Sequence, residues 1–200
     1  MSYPVSVSIA PQPANRNRLT TAFRLLLALP HLILVGGVVG SVWFSGSSGL
    51  LGAATWVLAI VSWFTIVLGG RHIPGIRTFT LFVMRWRVRS IAYSMLLVDD
   101  YPPFGDGDYP VSLVVVDPPD PRDRLTVGFR LLLALPHAIA LFFVLCFWWI
   151  VTIVAWFAIL ITGRYPEDLY APCVGAMRWL VRFEAYLLLL VDDYPPFSME

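Results

Sequence analysis

The longest apolar segment of this chain covers residues 131–161 without a charged side chain, and two further apolar runs cover residues 25–44 and 50–69. A helix crosses a bilayer with about 20 apolar residues, so each run is long enough or nearly so. Only 14% of the residues are charged, against about 25% in soluble proteins. Since a soluble fold of this size could not bury all three runs, we predict an integral membrane protein.

The chain contains an internal duplication. Residues 3–33 match residues 109–139 at an offset of 106 and share the string FRLLLALPH. Residues 71–104 match residues 164–197 at an offset of 93 and share VDDYPPF. The fall in the offset places 13 extra residues in the first copy, between His31 and Arg71. The predicted domains are repeat 1, residues 1–105, and repeat 2, residues 106–200.

Each repeat is predicted to begin with a short extended segment, at residues 5–9 and 111–116, because β-branched residues dominate there. We expect Pro30 and Pro136, which end the apolar part of each FRLLLALPH string, to bend or break a helix. The N-terminal segment lacks the pattern of a cleaved signal peptide, and we expect none.

In repeat 1, residues 31–70 would form a helix about 60 Å long, twice the hydrocarbon thickness of about 30 Å. The sequence SGSSG at residues 45–49 favours a turn, which predicts a membrane hairpin with spans near residues 22–44 and 50–69. Arginines flank this hairpin and its connecting loop carries none. The positive-inside rule then places both termini of a multi-pass cell-membrane protein in the cytoplasm.

In repeat 2, the membrane segment at about residues 129–162 has two interpretations. A hairpin needs two spans of about 16 residues, which are short for a bilayer. A single tilted helix over residues 137–161 fits the bilayer more easily, but it places residues 164–200 on the opposite side. We favour the hairpin because it keeps every arginine on one side.

Interfacial amphipathic helices are predicted at about residues 78–98 and 171–191. Positions four apart share a helix face, which gives two equivalent stripes. Two guanidinium groups and a hydroxyl suit a lipid phosphate or another anion, and the alternative is that the arginines only anchor the helices at the interface. The candidate lipid-binding or anion-binding residues are Arg85, Arg89 and Tyr93 in repeat 1 and Arg178, Arg182 and Tyr186 in repeat 2.

Paired aspartates close each repeat, as Asp99 with Asp100 and Asp192 with Asp193. Carboxylates at a helix C-terminus oppose the helix dipole, so we predict arginines as their salt-bridge partners. Two neighbouring carboxylates fall well short of the oxygen ligands that a divalent cation needs, and we predict no metal site.

His31 and His137 occupy the same repeat position and are candidate ligand or proton sites, because ionisable groups near a membrane often have a function. The alternative is that each histidine bonds a carbonyl beside the adjacent proline. Neither Cys146 nor Cys173 has the spacing of a metal or redox motif, and we assign them no role.

The sequence shows no phosphate-binding glycine loop, catalytic triad or paired metal-binding histidines. We therefore expect no enzymatic activity and no cofactor. The net charge of +1 gives no attraction to nucleic acid, which we do not expect as a partner.

Four motifs together resemble a bacterial membrane family catalogued as domain of unknown function 4389. They are FRLLLALPH, AWFAILITGRYPEDLYA, RWxVRxxAY and DDYPPF. The resemblance covers both repeats and implies a membrane protein. Because the family has no established activity, the resemblance implies no catalytic residue.

These features predict an all-α integral membrane protein of two tandem helical-hairpin repeats, with interfacial amphipathic helices and short N-terminal extended segments. The favoured function is a non-enzymatic module that engages anionic membrane lipids, a membrane protein partner or a second copy of the chain at the cytoplasmic face. The alternative is an accessory or scaffold subunit of a larger membrane complex. A small transporter fits less well, because the apolar spans carry no evident ionisable group at mid-depth.

Overall fold

The computed structural model describes residues 3–38, 49–119 and 121–200, and the chain is mostly helical, as predicted. In chain order the elements are β1 (Val5–Ile9), α1 (Arg18–Ala22), α2 (Arg24–Val35), α3 (Gly49–Gly69), α4 (Pro74–Ser94), β2 (Val111–Val115), α5 (Arg124–Gly128), α6 (Arg130–Thr162) and α7 (Glu167–Leu187). Helices α1 and α5 begin where the side chains of Asn17 and Asp123 each accept hydrogen bonds from two backbone amides, which is N-cap chemistry.

Pro30 and Pro136, where we expected a bend or a helix break, lie inside α2 and α6, so neither proline breaks its helix. The chain breaks earlier, at Phe23 and Phe129, which separate α1 from α2 and α5 from α6. A proline inside a helix removes one backbone hydrogen bond, and neighbouring donors can satisfy the carbonyls around it. In α6 the Tyr194 hydroxyl donates to the Leu133 carbonyl at 3.1 Å, in the turn before Pro136.

Helix α6 is one continuous helix of 33 residues, so the hairpin favoured for repeat 2 is wrong. At about 1.5 Å per residue it is about 50 Å long. Residues 138–161 contain no glycine, serine or proline. A turn within this run would expose backbone polar groups among apolar side chains, whereas a helix satisfies them internally.

Helices α2 and α3 point in the same direction, so the hairpin predicted for repeat 1 is also wrong. Both helices run antiparallel to α4. His31 of α2 accepts a hydrogen bond from Trp86 of α4. Thr55 of α3 lines a small cavity together with Thr80 of α4, which lies six residues nearer the start of α4 than Trp86 does. A Cβ on Gly49 would lie 2.7 Å from a carbonyl oxygen near the end of α2, so α3 begins where α2 ends.

The sequence register explains this arrangement. Gly36 aligns with Phe142 of α6 at the first offset, and Gly49 aligns with the same Phe142 at the second. At these offsets the buried positions of α2 and α3 coincide with those of α6, as Ala28 does with Ala134 and Ile66 with Ile159, so α2 with α3 is the counterpart of α6. We call α2–α3 the first rod and α6 the second rod. The predicted turn at residues 45–48 and the predicted span end at residues 39–44 lie outside the described residues.

Helices α4 and α7 form a middle layer, and each packs along one rod. Both are more buried than the interfacial helices predicted here, and both begin and end four residues before the predicted bounds. Where they meet, Arg87 pairs with Glu184 at 3.1 Å, with side chains that are 9% and 4% exposed. This pair joins the two repeats at the centre of the molecule.

The two strands pair antiparallel as a third layer, with Val7 opposite Leu113 at the centre of the register. These two residues are equivalent in the repeats, so a pseudo-twofold axis passes through the sheet. The inward valines and leucine are buried in the core beside α4 and α7, whereas Ser6, Ser8 and Ser112 are exposed. The sheet therefore presents an outer face of three serines together with the exposed side chain of Val114.

Helices α3 and α6 are long and apolar enough to cross a membrane, judged by length and composition. In their most apolar windows only 28% and 33% of the residues are buried, whereas the core helix of a soluble protein is mostly buried. Large side chains such as Ile60, Phe143 and Ile150 are exposed on the rods. The molecule thus has an apolar face made by the rods and a polar face made by the sheet.

Candidate functional site

Two buried clusters, which we call the aspartate clamps, tie the N-terminal arm of each repeat to its C-terminal turn. In repeat 1, Asp99 forms salt bridges with Arg16 and Arg24. In repeat 2, Asp192 pairs with Arg122 at 2.6 Å and with Arg130 at 2.9 Å. The two clamps use equivalent residues, which shows that each repeat closes on itself in the same way.

The turn after each middle-layer helix provides further acceptors for the clamps. Leu96 and Leu189 adopt φ angles of +63° and +61°, which leucine rarely does. The Leu96 carbonyl accepts a hydrogen bond from Arg16 Nη2 at 2.6 Å. The Leu189 carbonyl accepts one from Arg122 Nη2 at 3.1 Å. The clamp contacts hold a backbone conformation that would otherwise be disfavoured.

Aromatic rings complete both clamps. The guanidinium carbons of Arg24 and Arg130 lie 4.2 Å and 4.3 Å from the ring centroids of Tyr93 and Tyr186, as cation–π contacts. Burial alone would raise the pKa of the Asp192 carboxyl, but hydrogen bonds from Arg122 and the charges of both arginines hold that pKa below its usual value. The clamp arginines already bind carboxylate, carbonyl and ring, so the clamps serve structure rather than ligand binding.

The predicted stripes do not come together as two anion sites. Their tyrosines, Tyr93 and Tyr186, are buried against the clamp arginines described above. Three of the four stripe arginines donate to backbone carbonyls: Arg89 to Gly105 at 3.0 Å, Arg178 to Val7 at 3.3 Å and Arg182 to Ser198 at 3.4 Å. Arg85 is exposed. Arg87, two residues further along α4, contacts the first rod. At about 100° per residue, Arg85 therefore lies about 200° around the helix from that contact.

The second aspartate of each pair lies at the surface. Asp100 accepts a hydrogen bond from Gln12 Nε2 at 3.3 Å. At Asp193 the backbone carbonyl, rather than the side chain, accepts a hydrogen bond from the Tyr3 hydroxyl at 3.0 Å. Only the first aspartate of each pair therefore belongs to a clamp.

His31 and His137 are fully buried and are covered by the YPPF motifs. The ring centroids of Phe104 and Phe197 lie 4.3 Å and 3.8 Å from those of His31 and His137. These contacts anchor each YPPF segment on a rod.

The two histidines differ in hydrogen bonding. Trp86 Nε1 donates to His31 Nδ1 at 2.8 Å, so neutral His31 carries its proton on Nε2. At His137, Nδ1 lies 2.9 Å from the Tyr194 hydroxyl, which in turn lies 3.1 Å from the Leu133 carbonyl. The equivalent histidines therefore have different partners, an indole N–H at His31 and a phenolic hydroxyl at His137.

Within residues 3–38, 49–119 and 121–200, no group of three or more His, Cys, Asp or Glu side chains is placed to hold a metal ion. Cys146 is an exposed free thiol on the second rod, and Cys173 is a buried one in α7.

Two surface clusters of equivalent residues lie where the rods end, and we call them the end clusters. Each combines two arginines with three apolar side chains. The first comprises Arg18, Leu19, Phe23, Ile161 and Arg164, and the second comprises Arg124, Leu125, Phe129, Leu68 and Arg71. Leu19 is 70% exposed and Leu125 is 71% exposed. Arginine beside exposed leucine and phenylalanine is the composition of a membrane-interface anchor.

Glycines at the rod ends set the geometry of the end clusters. Gly70 and Gly163 have φ angles of +72° and +71° and follow the last turn of α3 and α6. A Cβ at Gly163 would lie 3.5 Å from Arg18 Nε, and one at Gly70 would lie 3.1 Å from Arg124 Nε. The guanidinium groups therefore lie close to the helix C-termini, where the helix dipole favours a cation.

Each end cluster is built from both repeats. The Arg16 amide donates to the Gly163 carbonyl at 3.0 Å, and the Arg122 amide donates to the Gly70 carbonyl at 3.0 Å. The indoles of Trp156 and Trp63 likewise donate to backbone carbonyls of the other repeat, Thr21 at 2.9 Å and Val127 at 3.0 Å. Arg18, Arg124 and their apolar neighbours are not among the site residues predicted from the sequence, although the identity of Arg18, Leu19 and Phe23 in both repeats is a usable signal.

A family model described as Domain of unknown function (DUF4389) matches residues 18–105 and again residues 124–199. The chain belongs to this family. Each DUF4389 copy begins at an end-cluster arginine, Arg18 or Arg124, and extends past the YPPF motif. Each copy therefore contains its clamp aspartate, its second clamp arginine, its rod and its buried histidine. The first clamp arginine of each repeat lies just before the matched segment. The resemblance and the presence of two copies are thereby confirmed. Comparisons with curated proteins and with solved structures give no match.

Proposed function

We propose that this DUF4389 protein is a membrane-embedded, non-enzymatic module that binds anionic lipid head groups through its two end clusters. The observation that carries the proposal is the position of Arg18 and Arg124, which lie beside exposed apolar side chains at the ends of two apolar rods. The cytoplasmic leaflet is the expected location, because arginine-rich segments remain on that side.

The rods support the membrane part of the proposal. On the second rod the buried residues form one narrow stripe, which includes Ala134, Leu141 and Trp148, while large apolar side chains elsewhere around the helix are exposed. A helix that is apolar all round but covered along one stripe needs an apolar solvent for the remainder. Lipid acyl chains provide such a solvent along the whole length of both rods.

The end clusters support the head-group part. The planar guanidinium fork matches phosphate oxygens in bidentate fashion, and a basic residue near an anionic surface contributes about 1 kcal/mol of binding energy. Arg18, Arg124 and Arg164 are exposed, unlike the clamp arginines. Because the two clusters are equivalent, we expect two head-group sites for each chain.

The proposal is tested first by alkaline carbonate extraction, which should leave the protein in the membrane fraction. The second test is thermal unfolding of the purified protein in neutral detergent with added phosphatidylglycerol or phosphatidylcholine. We expect a larger rise in Tm with phosphatidylglycerol, reduced by high salt because exposed charges are screened. An equal response to both lipids would refute the head-group role.

Two matched double variants locate the site. R18Q/R124Q should lose most of the preference for phosphatidylglycerol, whereas R85Q/R178Q, which removes the same charge from the stripes on α4 and α7, should keep it. The opposite result would return the lipid site to those stripes.

A further inference from the structure

The orientation of the protein in the membrane follows from how its polar and apolar surfaces are distributed. We propose that the protein lies flat in one leaflet, with both rods parallel to the membrane plane, so that it docks on a single lipid monolayer and does not cross the bilayer. This inference rests on the proposed membrane embedding and specifies the surface involved.

The direction of the two rods follows from the residues that line two grooves between them. The start of the first rod, at Arg24 and Leu25, shares a surface groove with Trp149 and Trp156 of the second rod. The far part of the first rod, at Trp63, shares an equivalent groove with Leu131. These contacts on the second rod are about 20 residues apart, or about 30 Å. The rods are therefore antiparallel, and the pseudo-twofold axis is perpendicular to them.

The position of the sheet along the rods follows from the pseudo-twofold axis. The axis passes through the pair of Val7 and Leu113, so the sheet lies midway between the two ends of the rods. Its outer face carries three exposed serines beside one exposed valine, Val114, and Arg178 donates to the Val7 carbonyl. The polar surface is thus found halfway along the rods as well as at their ends.

An upright orientation conflicts with this arrangement. If the rods crossed the bilayer, the outer serines, the open strand edges and Arg85 would lie near the bilayer centre. Hydrocarbon does not tolerate an open sheet edge, because no water is present to satisfy its backbone groups, and charged side chains at that depth are strongly disfavoured. A flat orientation keeps the sheet in water while the rods contact acyl chains.

The distribution of arginines leads to the same conclusion. The clamp and end cluster at one end contain Arg16, Arg18, Arg24 and Arg164, and those at the other end contain the four equivalents. An upright molecule would place equal groups on both sides of the membrane, which gives the positive-inside rule no preferred orientation. A flat molecule places both groups at one interface.

The test uses labelling with a membrane-impermeant maleimide in sealed, oriented membrane vesicles. Single cysteines are introduced as D100C, D193C and S112C in a C146S/C173S background. Asp100 and Asp193 are exposed equivalents at opposite ends of the molecule, and Ser112 is exposed on the sheet. We expect all three cysteines to react from the same side.

The possible failures are distinguishable. Labelling of D100C and D193C from opposite sides, or protection of S112C from both sides until detergent is added, would overturn the flat orientation and leave membrane embedding intact. Release of the unmodified protein by carbonate would overturn the embedding and the orientation together. The background protein without introduced cysteines should not react. Thermal unfolding of each variant, which should be unchanged, checks that the variant is folded.

Discussion

At the scale of single residues, the carboxylates Asp99 and Asp192 each form salt bridges with two arginines whose side chains are at most 3% exposed. Removing a charge from water is costly unless a partner compensates it, so loss of the carboxylate would leave two unpaired buried cations. The clamps are therefore where one substitution should destabilise the fold most.

We predict that D192N lowers the free energy of unfolding by about 3 to 5 kcal/mol, the usual cost of breaking a buried ion pair. Chemical denaturation in detergent at pH 7 measures the change. D193N is the matched control, because Asp193 is exposed and its side chain lies outside the clamp, and surface substitutions usually change stability by less than about 0.5 kcal/mol. Equal effects of D192N and D193N would contradict the structural role of the clamp.

The pH dependence of stability provides a second prediction for the same residue. The folded-state pKa of Asp192 is lowered, so its contribution to stability is fully present above the pKa of the unfolded carboxyl and is lost as the pH falls through the folded value. Unfolding measured from pH 7 to pH 3 should show acid destabilisation beginning below about pH 5, and this loss should be smaller in D192N. A D192N profile that parallels the wild type would contradict it.

The sequence predicted arginine partners for the paired aspartates but could not specify them, because Arg16 and Asp99 are far apart in the chain. Helical spacing placed Arg85, Arg89 and Tyr93 near one face of α4. It could not show that Tyr93 faces Arg24 of another helix. Contacts between distant segments depend on the fold, and no local pattern encodes them.

At the scale of elements, the two rods show how an insertion can be accommodated without a change of direction. Between α2 and α3 the first repeat has 13 residues without a counterpart in α6, yet α3 resumes at the position equivalent to Phe142. Helix α4 packs along both parts of the first rod. Of the inserted residues, Val38 is buried in the core and the Gly37 carbonyl accepts a hydrogen bond from Arg87 Nη2 at 2.7 Å, so the start of the insertion packs with the middle layer.

We predict that deleting residues 36–48, which joins Val35 to Gly49, gives a chain that folds with one continuous helix in repeat 1. The helical signal in circular dichroism should be retained, and the Tm should fall because the deletion removes buried Val38 and the Gly37 carbonyl that accepts from Arg87. A matched deletion of 13 residues inside α6, residues 142–154, removes buried Trp148 and should abolish folding. Loss of folding in the first deletion would show that the rod requires the insertion.

The two hairpin predictions rested on different arguments. In repeat 1 the limit of about 30 Å assumed that an apolar helix must cross the hydrocarbon core. In repeat 2 the length favoured one helix, and the hairpin was chosen because it kept every arginine on one side of the membrane. Neither argument contains the contacts with α4 and α7 that hold each rod straight. The helical class, the long apolar helices and the extended segments depend on local patterns, and the sequence was sufficient for them.

At the scale of the whole molecule, the repeats are interlocked. Each rod ends against the N-terminal arm of the other repeat, through the Gly163 and Gly70 carbonyls and the indoles of Trp63 and Trp156. Neither repeat can make these contacts alone.

We predict that residues 1–105 and 106–200, produced as separate chains in one cell, assemble into a stable pair, whereas each is degraded or aggregates when produced alone. Co-purification through a tag on one half measures the assembly. E184Q should reduce recovery, because Arg87 loses its charged partner in the buried centre. Stable, monomeric single halves would contradict the prediction.

The central pair of Arg87 and Glu184 makes the two halves of the chain non-interchangeable. Its counterpart across the axis is Leu180 and Ile91. Two copies of repeat 1 would place arginine against isoleucine, and two copies of repeat 2 would place leucine against glutamate. The buried ion pair therefore forms only when one copy of each repeat is present, so the pseudo-symmetric chain has a single correct pairing of its halves.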